Sequence, residues 1–533
     1  MKQLLHTLAL IWRCDRRSMV LRVLYTFLSS TLPLVNLFIL KRLIDAVTMG
    51  ATGVSAQTAF LPYLVAMVVV FLANRIVSAL NSINNDVLSQ RLIDYMSDLV
   101  QRQAAELDMA HYDTPAYHDI FHRAGQEAVL RPLQILGNFL ALGGALISIV
   151  IVGAMLLETS PWVVVAMIVA VVPSFLVRLR KARAIYAFRR DNTQLYRRTT
   201  YYNTLLTSRV SAKEMRVFDV VPYFRKLFVE IRATLVSTLL RISRRLGAAD
   251  MVCAVIEAAA MLLVVYLLAM QAFTKAISIG TFVMLFEAFR RGQGYLSALV
   301  NAIAGLYDSR LFAGNLFEFL NLRPTIKSPE NPQAMPEKIE SIELRDVTFS
   351  YPGMGHPVLV HQDFMATPGE VTHIDGCNGR GKTTILMLLL RLYDPQEGLV
   401  LINGIDIRRF DLRELRSRFG VLFQDFVRYQ TTVAENLDFG EEKKERVLPD
   451  YLDFVGNLPK GEYSMLGRTF DDGSELSMGQ WQRIALARAL ESDAPIIILD
   501  EPFAWIDAPT RTVIAPLIEE ASKKKILIMI SHV

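Results

Sequence analysis

Charge is scarce in this chain. Only 20% of its 533 residues are Asp, Glu, Lys or Arg, against about 25% in ordinary soluble domains. Hydrophobic residues make up 52% and the mean hydropathy is +0.31, which excludes disorder and calls for membrane-embedded segments. Cysteine is almost lacking. Cys14, Cys253 and Cys377 stand far apart with no metal-ligand spacing, which argues against a disulfide framework or a zinc site and fits reduced thiols on a cytoplasmic face. The net charge of +5 is too small to call for a nucleic-acid partner. A cleavable signal peptide is lacking too. Residues 1–18 carry Lys2, Arg13, Arg16 and Arg17 and no small-residue cleavage site, so the first apolar run is expected to stay as an anchor.

What is present divides the chain in two. Long apolar stretches fill residues 1–320 and stop there. Residues 321–340 form a polar linker punctuated by Pro324, Pro329, Pro332 and Pro336, and residues 341–533 form a second domain. A membrane-spanning helix needs about 20 mostly apolar residues, and about six such segments fit that rule: 20–40, 60–80, 133–157, 161–179, 248–270 and 277–300. The connections ATGVSAQTA, ETS and QAFTKAIS hold almost no Lys or Arg. Those at 81–132 and 180–247 are long and basic, the second running from Arg180 and Lys181 to Arg244 and Arg245. Basic loops stay in the cytoplasm, so both long connections and both termini are expected there, in a multi-pass protein of the cytoplasmic (inner) membrane. A helical arm of about 25 residues reaches about 35 Å from the bilayer, and each long connection can go out and back as two arms. Within the spans, Asn36, Glu257, Arg290 and Arg291 stand out. A charge at mid-bilayer costs roughly 2.5–3.5 kcal/mol on insertion scales, so it is expected to face a cavity or a partner, unless it snorkels from a helix end or makes a plain helix contact.

The second half carries phosphate chemistry. GCNGRGKTT, Gly376 to Thr384, follows the strand-like VTHID and precedes the helix-like TTILMLLLRLY. That context is required of a phosphate-binding loop of the type GxxxxGK[ST]. The loop comprises Gly376, Cys377, Asn378, Gly379, Arg380, Gly381, Lys382, Thr383 and Thr384. Its glycines let backbone N–H groups face the phosphates, the helix N-terminus adds its positive end, Lys382 supplies a point charge, and the Thr383 hydroxyl suits Mg²⁺. PIIILDEP, Pro495 to Pro502, reads as a buried strand delivering Asp500 and Glu501 at its end. Asp500 is the candidate Mg²⁺ ligand, and Glu501 the candidate base that orients the attacking water. ATP and Mg²⁺ are therefore the expected cofactors.

Between these motifs lies LSMGQWQRIALARAL, from Leu476. With it, residues 341–533 resemble the ATP-binding-cassette superfamily. The resemblance implies further roles. Tyr351 matches the aromatic that stacks on adenine, Gln424 the glutamine that couples Mg²⁺ and the lytic water to the membrane domain, and Ser477 and Gly479 the signature motif. Asp507 matches the aspartate of the loop crossing the dimer interface, and His532 the switch histidine. Singly, each has an ordinary structural role, and their order along the chain carries the resemblance. It implies a catalytic set of Glu501, Gln424 and His532, with Thr383, Gln424 and Asp500 about the metal. Two cassettes of that superfamily sandwich two ATP molecules head to tail, so a second half-transporter, identical or not, is the implied partner.

The order membrane domain, linker, cassette resembles an exporter-type half-transporter. The implied fold is a membrane α-helical bundle with long cytoplasmic arms fused to an α/β P-loop ATPase. HYDTPAYHDIFHRA from His111 and SRVSAKEMRVFDV from Ser208 resemble coupling helices at the arm tips, expected to dock near Gln424. QDFVRYQTTVAENL and GRTFDDGSELSMGQWQRIALARAL are similar to bacterial exporters of ribosomal peptides such as lanthipeptides. No peptidase domain precedes residue 20, so leader cleavage is not expected. The chain departs from the family pattern in three places. Met478 replaces a signature glycine. Phe503, Ala504, Trp505 and Ile506 replace small residues before Asp507. The chain ends just after His532, so the strand ILIMI either continues in a longer chain or exposes an apolar edge. The expected function is ATP-driven export, of a peptide on the nearer resemblance, by alternating access in a dimer. The alternatives are a lipid or drug flippase, or a non-transporting membrane ATPase or sensor acting through a partner.

Overall fold

The structure is a computed structural model, described over residues 2–49, 60–114, 131–159, 161–374, 381–439 and 448–531. It divides into two compact units. One comprises Met1–Ala105 and Ile120–Asn321, the other Glu106–Asp119 and Leu322–Val533.

The first unit is helical: α1 Lys2–Cys14, α2 Arg16–Met49 and α3 Leu61–Glu106 come first. A short turn, α4 Met109–Tyr112, belongs to the second unit. Then follow α5 Arg131–Thr159, α6 Pro161–Asp191, α7 Thr193–Thr207, α8 Ala212–Val217, α9 Val221–Phe273 and α10 Ile279–Leu320. Each of the expected spans lies in one helix to within two residues. Among the described residues, four helices are long and apolar enough to cross a membrane: Arg16–Thr48, Leu61–Glu106, Arg131–Leu157 and Val221–Phe273. In α10 the apolar stretch is broken by Glu287, Arg290 and Arg291. The helices α3 and α9 run on for 46 and 53 residues, well beyond the ~20 that a bilayer needs. Their continuations make the arms that the long basic connections predict.

Leu34 and Leu37 of α2, Val152, Met155 and Leu156 of α5, Val163 of α6, Val264 and Leu268 of α9, and Met284, Leu285, Ala288 and Phe289 of α10 form one buried cluster. Elsewhere α3 exposes Val65, Val68, Val69, Phe71, Leu72 and Ile76, an apolar face of the kind that lipid solvates. Glu257 of α9 accepts a hydrogen bond from the Ser174 hydroxyl of α6, and Asp250 pairs with Arg178 at 3.6 Å. Glu257 is thus a helix–helix contact, the plainer of its two sequence readings.

The second unit contains two sheets. The antiparallel sheet has the order β2-β1-β4-β5, with β1 Ile342–Phe349, β2 Leu359–Ala366, β4 Glu397–Ile402 and β5 Ile405–Asp406. The parallel sheet has the order β3-β8-β7-β6, with β3 Val371–Ile374, β6 Phe419–Leu422, β7 Ile496–Asp500 and β8 Ile526–Ile530. Between them run α11 Lys382–Leu389, α12 Leu412–Ser417, α13 Val433–Asp438, α14 Met478–Leu490 and α15 Ala508–Ser522. The run ILIMI is β8, paired on one side with β3 and on the other with β7. It is an interior strand, and the exposed apolar edge considered above does not form. All of β7 is buried, as a continuous apolar run in a parallel sheet should be.

No helix or strand occupies the segment between Leu320 and Ile342, and hydrogen bonds hold it to the second unit. Asp108 accepts from the Thr325 hydroxyl at 2.7 Å and from the Ile326 N–H at 3.2 Å. Arg391 donates to the Lys327 carbonyl at 3.1 Å, and Ser328 to Asp411 at 2.8 Å.

Candidate functional site

The site is built where strands end. β7 delivers Asp500, almost fully buried, and then Glu501. Glu501 has φ +51°, a left-handed conformation costing about 1–2 kcal/mol for a residue with a side chain. Hydrogen bonds hold it there. Its N–H donates to the Ile530 carbonyl at 2.9 Å, its carbonyl accepts from Gln482 Nε2 at 2.9 Å and from the Ala504 N–H at 3.2 Å, and Oε1 accepts from Gln424 Nε2 at 3.0 Å. The carboxylate is therefore fixed by its neighbours on β8, on α14 and on the segment after β6.

On the other side, α11 opens at Gly381, whose φ is +83°. That left-handed conformation favours glycine, and a Cβ there would also push on the end of the Leu359 side chain, 2.5 Å away. Lys382 follows, largely buried, and its Nζ donates to the Ser531 carbonyl at 3.4 Å. Thr383 is exposed and Thr384 buried. A cavity of about 440 Å³ is lined by Tyr351, Met354, Val358, Gly381, Lys382, Thr383, Thr384, Gln424, Asp500, Glu501 and Ile530. The sequence reading placed eight of these lining residues together, and the structure brings them to one cavity. Gly376, Cys377, Asn378, Gly379, Arg380 and His532 lie outside the described residues.

Tyr351 closes one end. Its hydroxyl is 3.1 Å from Thr384 Oγ1, and its ring packs edge-on with Phe349 (5.0 Å, 82°) and Tyr393 (5.3 Å, 87°). Such contacts add about 0.5–1.5 kcal/mol each beyond burial and fix the ring plane. Tyr393 in turn donates its hydroxyl to Asp113. Burial, with Asp113 beside it, pushes the Tyr393 hydroxyl well above the usual phenol range.

The signature residues stand apart from this cavity. Ser477 caps α14 through a capping box: its Oγ accepts from Gln480 N at 3.3 Å, and Gln480 Oε1 accepts from Ser477 N at 2.8 Å. The Ser477 oxygen thus serves its own helix. Met478 turns toward Arg428, whose Nη1 lies 3.6 Å from its sulfur. Gly479 behaves differently, because a Cβ there would meet the Trp505 carbonyl oxygen at 2.5 Å. Of the two signature positions, 478 accepts a side chain and 479 does not. Asp507 begins α15, and the Thr510 hydroxyl beside it holds its carboxyl below the usual carboxylate range.

The arm-tip segments differ in what the structure describes. Of the first, residues 115–124 lie outside the described residues. The part that is described, through Asp108, His111 and Asp113, bonds to Thr325, Ile326, the Arg323 carbonyl and Tyr393. The second forms α8, with Val210, Val217 and Phe218 strongly exposed around it.

Sequence reasoning missed Met354, Val358 and Ile530, which line the cavity, and Gln482. Gln482 is buried. It donates to the Glu501 carbonyl and accepts from the Trp505 N–H at 2.8 Å. The available signal was an amide inside the helical run IALARAL and its approach, where burial demands a partner.

The family model for the ABC transporter matches residues 359–504. The subtilin transport ATP-binding protein SpaT of Bacillus subtilis is 28% identical, over 100% of this chain and 88% of its own length. The nisin transport ATP-binding protein NisT of Lactococcus lactis is 26% identical, over 99% and 88%. An ATP-dependent lipid A-core flippase of Vibrio parahaemolyticus is 30% identical over 54% of this chain and 50% of its own. Among solved structures, a bacterial Atm1-family ABC exporter with ATP bound superposes with a TM-score of 0.80 at 21% identity, covering 97% of this chain and 91% of that one.

Proposed function

We propose that this chain, an ABC transporter whose ATP-binding cassette is joined to a membrane half of exporter fold, is one half of an ATP-driven exporter of a peptide. The chain binds and hydrolyses ATP and moves a substrate through the membrane. The observation that carries the residue roles is the convergence of Lys382, Thr383, Gln424, Asp500 and Glu501 on one cavity, with Glu501 held at backbone and side chain.

Within that reading Tyr351 receives the adenine, and Lys382 with the α11 N-terminus receives the phosphates. The donors facing the cavity from Thr383, Gln424 and Asp500 are oxygens, which fit a hard cation such as Mg²⁺. When bound, that ion neutralises charge building up on the phosphates. Glu501 orients the water and accepts its proton, and the Gln424 amide on Oε1 keeps the carboxylate aimed. His532 completes the site as the switch residue.

Ser477, Gly479 and Asp507 do not line the cavity. A second half-transporter supports the reading, because its Ser477 counterpart would close the ATP from the opposite side while this chain's Ser477 closes the partner's. The cassette and both termini sit in the cytoplasm of a bacterium, on the side of the basic connections. Peptide cargo rests on the full-length similarity to the two peptide-transport proteins, since the flippase matches over only about half of either chain.

Exchange of the base tests the roles. Glu501→Gln is expected to bind ATP as the parent does while turnover falls at least about a hundredfold. Unchanged turnover would remove Glu501 from the reaction.

A further inference from the structure

The charges on α10 are left unexplained by ATP chemistry. Arg290 lies eleven residues into α10, about 16 Å along its axis, and near the middle of the membrane span expected over residues 277–300. This is no helix end, and the helix continues to Leu320. Between residues 279 and 300 the charged residues are Glu287, Arg290 and Arg291, two guanidiniums for one carboxylate. Glu287 takes one edge of Arg290, accepting from Nε at 3.2 Å and Nη2 at 2.8 Å. Arg291 donates Nη1 to the Pro33 carbonyl at 3.3 Å. Its Nε is 3.6 Å from Glu287 Oε2, buried and without a hydrogen-bond partner.

The surface of α10 around these charges is not one that lipid solvates. Its exposed stripe reads Arg290, Gly294, Ala298 and Asn301, small or polar at helical spacing, where α3 shows valine, leucine, isoleucine and phenylalanine. Beside Arg290 there is room: a Cβ on Gly294 would meet nothing within 4 Å. Charged side chains at this depth face a water-filled path or a partner group.

We propose that Arg290 binds a carboxylate of the exported peptide, with Glu287 as the positioning residue that fixes the guanidinium plane. This rests on the peptide-export reading above. The second edge of the Arg290 guanidinium has the fork geometry that matches a carboxylate, and the surplus positive charge of the trio is the driving force. The small residues Gly294 and Ala298 leave open space beside Arg290 for an approaching chain. Once a carboxylate is bound the cluster is neutral, and the cargo carries the compensation for a charge that is costly at mid-bilayer.

The test uses the full chain in phosphatidylcholine nanodiscs and two probes, dansyl-Leu-Leu-Leu with a free C-terminal carboxylate and the same peptide as carboxamide. Fluorescence anisotropy is expected to show the carboxylate bound about tenfold more tightly, as a charge-assisted hydrogen bond implies. Arg290→Gln is expected to erase the preference while keeping basal ATP turnover, which shows the variant is folded. Glu287→Gln is expected to strengthen carboxylate binding. Equal binding of the two probes by the parent, no binding of either, or a preference that survives Arg290→Gln overturns the proposal. Displacement of the carboxylate by phosphatidylglycerol in the nanodisc would assign the site to a lipid phosphate and overturn it too. Uptake of both probes into inside-out vesicles without charge preference would sink this site and leave export standing. Failure to take up any peptide, with ATP turnover intact, would sink the export reading itself.

Discussion

Removing the Gln482 side chain tests how the base is held. The amide sits buried on α14 between two backbone groups, donating to the Glu501 carbonyl at 2.9 Å and accepting from the Trp505 N–H at 2.8 Å. Gln482→Ala leaves the Trp505 N–H without this partner and leaves the Glu501 carbonyl held by the Ala504 N–H at 3.2 Å. A buried group so left costs about 1–3 kcal/mol, and Trp505 is partly solvated, so a loss of about 1–2 kcal/mol is expected. The larger effect falls on chemistry. Glu501 holds a left-handed φ against about 1–2 kcal/mol of strain, and losing the Gln482 bond, one of its three backbone restraints, lets the carboxylate swing from Gln424. Base catalysis contributes about 10²–10⁴-fold, so kcat should fall by at least about tenfold, with KM for ATP changed far less because Lys382 and Tyr351 are untouched. Gln482→Glu separates the two bonds: it keeps an acceptor for Trp505 and sets a carboxylate against the Glu501 carbonyl, so its kcat should fall as far while stability suffers less. Steady-state turnover in nanodiscs with thermal unfolding on the same samples reads both. A Gln482→Ala protein turning over within about twofold of the parent would refute the reasoning, since a misaimed base cannot keep its share of the rate.

Other perturbations follow the same logic. Gly479→Ala should lower turnover strongly, because its Cβ would meet the Trp505 carbonyl at 2.5 Å, whereas Met478→Gly should leave folding intact and release Arg428. Parallel ATPase measurements would contradict this if the two variants lost activity alike. His361 and Asp346 pair at 2.7 Å on the rim of the antiparallel sheet. The hydrogen bond to Asp346, then its charge, raises the His361 pKa above the usual 6.5. The pair's contribution is therefore present below about pH 6.5 and lost as pH rises through the raised value. Asp346→Asn should return the His361 titration, followed by NMR of labelled histidine, toward 6.5, and no movement would show that the pair is not formed.

Much of the fold was legible because the bilayer imposes length. Six apolar runs required six helices, and basic connections announced arms that α3 and α9 supply by continuing unbroken. The order of strands was not legible. The place of ILIMI between β3 and β7 depends on long-range parallel pairing, and a local reading of an apolar strand near the chain end suggested an edge. In the site, Lys382, Thr383, Asp500 and Glu501 could be read because chemistry ties residue type to spacing. Gln482 and Tyr393 could not, since each acts through a contact made far along the chain, with Glu501 and with Asp113. Met478 departs from the signature pattern, and the missing fact was spatial: its sulfur faces Arg428, while the close backbone approach falls on Gly479.

The most direct test of coupling is peptide uptake into inside-out vesicles driven by ATP, comparing the parent with Lys382→Ala. The account predicts uptake by the parent and loss of both nucleotide binding and uptake in the variant, with the protein still folded in the membrane. A variant that binds ATP and fills vesicles at the parental rate would contradict it.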